Sequence, residues 1–130
     1  MKNVYTWAAK PAKRSTTVGD LKAAKGKKKF TQVTANTIDE AAAAEKAGFD
    51  MIISNAKNVI PVREGSKNLF LTAALVLNEF VTADDIMRGA FKALENGADA
   101  VMTPRSMDIV EMLAKEDVPV MGHLGLVPRK

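Results

Sequence analysis

The chain has 130 residues, no cysteine and a net charge of +4, which excludes disulfides, thiolate nucleophiles and cysteine-ligated metals. No stretch approaches the roughly 20 consecutive apolar residues of a membrane helix, and no signal-like segment opens the chain, so a cytoplasmic protein without a membrane partner is expected. The charge is uneven: residues 1–30 hold nine Lys or Arg against Asp20, while residues 31–130 hold ten bases and fourteen acids.

Residues 1–15 read as a basic tail, with Tyr5 and Trp7 as possible anchors to the core or to a partner subunit. Thr17 and Asp20 have the spacing of a capping box and open a short helix that Gly26 can end. The lysines of Lys25-Gly26-Lys27-Lys28-Lys29 could neutralise phosphates, but no aromatic or arginine platform accompanies them. They read as a solvated turn, and nucleic acid is not expected as a partner. Phe30 to Ala35 alternates as a strand does, and Thr37 with Glu40 caps an alanine-rich helix from Ile38 to Ala47 that stops at Gly48. Met51 to Ser54 is the second strand.

A short connection, Asn55 to Asn68, leads to a third strand from Leu69 to Ala74, apolar enough to be buried on both faces. Thr82 and Asp85 cap a helix reaching Asn96, on which Ile86, Ala90, Ala93 and Leu94 share one face. Gly97-Ala98-Asp99 then repeats the joint Gly48-Phe49-Asp50: helix end, glycine, one residue, aspartate, apolar strand. The fourth strand begins at Ala100, Ser106 is the expected cap of a helix through Lys115, and Val118 to Met121 is the fifth strand.

Five strands separated by helices or short crossovers specify an α/β fold with a parallel sheet. Periodicity alone suits either a closed barrel or a doubly wound open sheet. In both, chemistry gathers at the C-terminal strand ends. Thr34 and Asn36 follow the first strand, Asn55 the second, and Thr103 and Arg105 the fourth, which makes them candidate substrate-binding residues. Arg105 could clamp a carboxylate bidentately. Asn78 and Glu79 follow the third strand, as an amide donor and a base or as an exposed approach to the helix. His123, between glycines at the fifth strand's end, is either an acid–base group or a histidine bonded to backbone. No paired histidines, EF-hand acids or Walker-type loop occurs.

The segment Pro119-Val120-Met121-Gly122-His123-Leu124-Gly125-Leu126-Val127-Pro128 resembles the ketopantoate hydroxymethyltransferases, which act in pantothenate biosynthesis. Ala47 to Ile53, Glu79 to Asp84 and Asn96 to Val101 resemble the same family's strand and helix entries in the same order. The resemblance runs from about Thr16 to Arg129. It implies a (β/α)8 TIM barrel, or the N-terminal five-strand part of one, over residues 16–130. It also implies a 2-oxoacid substrate and methylenetetrahydrofolate as the one-carbon donor.

In that family two aspartates at the ends of strands two and three hold magnesium, which polarises the oxoacid so that a proton can leave. Alignment on the resembling segments sets Ala56 and Ala74 at the two aspartates, and Lys57, Met102 and Pro104 at neighbouring polar positions. Magnesium is therefore doubtful. Lys57 is either a solvated loop lysine or the positive charge that replaces the metal, by pairing with the oxoacid or forming a Schiff base. Lys57, Glu79 and His123 are the candidate catalytic residues. Three classes of function stay open: the family's hydroxymethyl transfer, a diverged carbon–carbon lyase or transferase on a 2-oxoacid, and a non-catalytic barrel used for binding or assembly. Two open sheet edges would favour a longer product or a homo-oligomer.

Overall fold

A computed structural model describes residues 1–127, so Pro128 of the resembling segment lies outside the described residues. Where the sequence reads as a tail there is a hairpin: β1 (Lys2–Tyr5) pairs antiparallel with β2 (Pro11–Arg14), Lys2 opposite Arg14 and Tyr5 opposite Pro11. Trp7, in its turn, packs on Phe91 with ring centroids 5.6 Å apart. Short polar strands give little alternation to read, and this pair is held by tertiary contacts.

Helix α1 (Val18–Ala23) starts with the expected Thr17–Asp20 capping box. Strand β3 (Gln32–Thr34) leads to α2 (Ile38–Lys46), again with both capping-box bonds formed, Thr37 with Glu40. After β4 (Met51–Asn55) the connection holds a 3₁₀ turn (Ala56–Asn58) and a helix the sequence did not announce, α3 (Val59–Gly65). Pro61 obscures it, yet proline is tolerated in a helix's first turn, where its missing N–H is not needed. Strand β5 (Phe70–Ala74), helix α4 (Ala83–Glu95) and strand β6 (Ala100–Thr103) follow as expected, with Thr82 and Asp85 closing the third capping box.

Helix α5 (Met107–Lys115) and strand β7 (Val120–Gly122) complete the chain with two corrections. Ser106 makes no side-chain bond to the helix it precedes. Val118 belongs to the helix end rather than to the strand: its N–H donates to Leu113 O at 3.1 Å and that of Asp117 to Ala114 O at 3.1 Å. Those two bonds form a Schellman motif, and α2 and α4 end in the same way through Gly48 and Gly97.

The sheet order is β3-β4-β5-β6-β7, every neighbouring pair parallel. Strand partners share a face. On one face Ile52, Leu71, Ala73 and Val101 pack with Ala41 and Ala44 of α2, Val59 and Val62 of α3, Ile86, Ala90 and Leu94 of α4, and Leu113 of α5. All four crossover helices therefore cover a single face. A doubly wound sheet would carry helices on both faces and reverse its strand order. Sequential order with one-sided helices is an arc of a (β/α)8 barrel, here its N-terminal five-strand part. On the opposite face Met51, Phe70 and Ala100 pack with Val18, Leu21 and Phe30, so α1 closes the N-terminal end of the arc's interior. Among the described residues no helix is long and apolar enough to cross a membrane.

The repeated joint has one task in both copies. The carboxylate of Asp50, entering β4, accepts the Thr31 N–H, just ahead of β3, at 2.8 Å. That of Asp99, entering β6, accepts the Leu71 N–H of β5 at 2.9 Å. Asp99 also receives Arg14 Nε at 2.7 Å and Arg63 Nη2 at 2.9 Å. Burial pushes the Arg63 guanidinium down to about 10 against the upward pull of Asp99, so it stays a cation at neutral pH.

Candidate functional site

The C-terminal strand ends collect the polar side chains that the fold leaves without a packing role. Parallel strands in sequential order bring the loops after β3, β4 and β5 side by side, because neighbouring strands lie only about 4.8 Å apart. Asn36 follows β3, and its Oδ1 accepts the Asn55 backbone N–H at 2.8 Å and Asn58 Nδ2 at 3.1 Å. Its own backbone N–H donates to Glu40 of the α2 capping box at 2.6 Å. Asn55, at the end of β4, accepts the Lys57 N–H on its Oδ1 at 3.2 Å, which starts the 3₁₀ turn. Three asparagines thus fix the backbone from which Lys57 projects.

Lys57 Nζ lies 3.2 Å from Glu79 Oε1, so the second and third strand ends are joined by an ion pair. The lysine side chain is 63% exposed and the glutamate 33%, leaving the pair open to a solute. An exposed pair of this kind adds little stability, on the order of 0 to 1 kcal/mol. Asn78 is exposed beside it.

The other expected residues take different positions. Thr34 is exposed at the end of the edge strand β3. Thr103 is fully buried, and its Oγ1 accepts the Arg105 backbone N–H at 3.2 Å. Arg105 turns back to donate Nη2 to Leu77 O and Phe80 O, both at 2.9 Å, and so holds the loop between β5 and α4. Thr103 Oγ1 and Arg105 Nη2, of the two residues named as candidates for substrate binding, are thus engaged within the fold. Burial hides the hydroxyl, and loop carbonyls lacking helical partners draw in the guanidinium. His123 is half-buried just past β7. Strands β5 and β6 lie between β7 and β4 in the sheet, and among the described residues His123 has no hydrogen bond or ion pair to Lys57 or Glu79.

Ala56 and Ala74, which the family resemblance sets where two magnesium-holding aspartates are expected, are each 8% exposed at the ends of β4 and β5. Methyl groups offer no oxygen to a hard cation. Among the described residues no three His, Asp or Glu side chains are grouped closely enough to hold a metal ion. Asn58 is the participant that sequence reasoning missed; an asparagine just past a strand end, in a turn rich in asparagine, is the signal that could have found it.

No protein-family model matches the chain. Curated relatives do. A 3-methyl-2-oxobutanoate hydroxymethyltransferase of Deinococcus radiodurans is 34% identical over 77% of this chain and 45% of its own length. One from Kosmotoga olearia is 32% identical over 81% of this chain and 49% of its own. One from Pyrococcus furiosus is 31% identical over 82% of this chain and 46% of its own. The chain spans about half the length of the curated relatives it matches.

Proposed function

As a diverged member of the 3-methyl-2-oxobutanoate hydroxymethyltransferase family, matched over about half the length of its relatives, the chain is one for which we propose metal-independent binding of a small 2-oxoacid at the C-terminal strand edge. The observation that carries this reading is the Lys57–Glu79 pair, which joins the loops that follow β4 and β5, Lys57 next to Ala56 in the chain and Glu79 in the loop that begins after Ala74. Lys57 holds the acid's carboxylate as a point charge, displacing Glu79 from the ammonium. Glu79 is then freed beside the carbon next to the ketone, where its carboxylate can take a proton and leave an enolate near the lysine. The neighbouring asparagines keep the lysine's turn in place. Hydroxymethyl transfer is the activity in the relatives' name, and with methylenetetrahydrofolate, the donor the family resemblance implies, it is the natural second step to assay.

The test is isothermal titration of 3-methyl-2-oxobutanoate, with and without magnesium, into the wild type and into Lys57→Ala and Glu79→Gln. Binding independent of magnesium, weakened about tenfold by Lys57→Ala as loss of a charged hydrogen bond predicts, is the expected result. Exchange of the acid's C3 proton with deuterated water, followed by NMR, should disappear in Glu79→Gln while binding persists. Binding that needs magnesium, or that is untouched by Lys57→Ala, overturns the proposal.

A further inference from the structure

We propose that the groove between the β1–β2 hairpin and α3 binds a small phosphorylated molecule, at the end of the sheet opposite Lys57. The groove has a volume of about 570 Å³, and Lys10, Lys13, Arg14, Arg63 and Lys67 line it, with Glu64 as the only acid on its wall among the described residues. That volume lies within the usual range of small-molecule sites, about 300 to 1,000 Å³. Asn68 and Gly97, from the approaches to β5 and β6, form part of the lining and place the groove at the N-terminal strand ends.

Its cations are of two kinds. Arg14 and Arg63 are held rigidly from below by Asp99. Arg14 uses Nε on Asp99 and Nη1 on Lys13 O and Lys67 O, both at 2.9 Å, and among the described residues its Nη2 has no protein acceptor. Lys10, Lys13 and Lys67 form no ion pair among the described residues, although Glu64 lines the same groove. A fixed guanidinium edge ringed by mobile ammonium groups is suited to a compact multivalent oxyanion. Ile60, 53% exposed in the same groove, offers an apolar surface for the body that carries the phosphate.

Calorimetric titration with inorganic pyrophosphate and with phenyl phosphate tests this on the wild type, on Lys13→Ala/Lys67→Ala, and on Lys27→Ala/Lys29→Ala as a control for general charge. The wild type should bind one equivalent saturably, and the groove variant should lose about tenfold in affinity, as charged hydrogen bonds predict. The control should lose less than twofold. Ile60→Ser should weaken phenyl phosphate and leave pyrophosphate unchanged, and amide shifts should fall on residues 10–14 and 60–67. The proposal is overturned by absence of saturable wild-type binding, by equal losses in groove and control variants, or by shifts centred on the lysines of residues 25–29.

Discussion

Asp99 does the work of several residues. One carboxylate neutralises Arg14 and Arg63, with all three side chains at most 15% exposed, and caps the Leu71 N–H of β5. Asp99→Ala would strand two buried guanidinium groups and an amide, and removal of one partner from such a group costs about 3 to 5 kcal/mol. Urea denaturation should register that loss in the midpoint, with little change in slope. A much smaller effect would mean that water satisfies the arginines. Gly65 is the other residue fixed by its surroundings. A Cβ there would sit 2.1 Å from Ile38 O, a backbone atom that cannot step aside.

At the scale of elements, the three Schellman ends differ at one position. Gly48 and Gly97 adopt φ of 81° and 110°, but α5 ends on Asp117 at φ 58°, where a Cβ is strained. Asp117→Gly should stabilise the protein by about 0.5 to 1 kcal/mol, read as a rise in thermal midpoint. No rise would show that its carboxylate contributes in the folded state.

Acid should act on the element starts. Asp50 is held below its usual value near 3.8, first by the Thr31 backbone N–H, and Asp85 likewise by that of Thr82. Asp20 is lowered first by its bond with Lys2. A depressed carboxylate contributes stability above its unfolded value and loses it as pH falls through the folded one. Stability should therefore be level down to about pH 5 and decline below about pH 4. Asp50→Asn should make that decline shallower.

These elements also show what the sequence made legible. Three capping boxes and two Gly-x-Asp joints rest on local chemistry, so Thr17, Thr37, Thr82, Gly48 and Gly97 were readable directly. The hairpin, helix α3 and the engagement of Arg105 depend on partners 25 or more residues away, or on a proline that masks the pattern, and local reading does not reach them. In the candidate site the strand-end positions of Lys57 and Glu79 were legible. Their pairing, and the separation of His123, required the order of the strands.

For the whole molecule, the hairpin is the long-range tie. Trp7, the only tryptophan, rests on Phe91, and Arg14 reaches Asp99 across 85 residues. Arg14→Ala should therefore shift tryptophan emission to the red while the far-ultraviolet circular dichroism of the α/β arc is largely kept. A loss of both signals together would show that hairpin and sheet unfold as one unit.

The sequential sheet has a consequence for how the chain acquires its shape during synthesis. Each strand from β4 onward lies against the strand made just before it, so a growing chain can add βα units to a finished edge as they leave the ribosome. The Arg14–Asp99 bond breaks that order. The first fourteen residues must wait for the ninety-ninth, and seating the hairpin is a late step in an otherwise directional assembly.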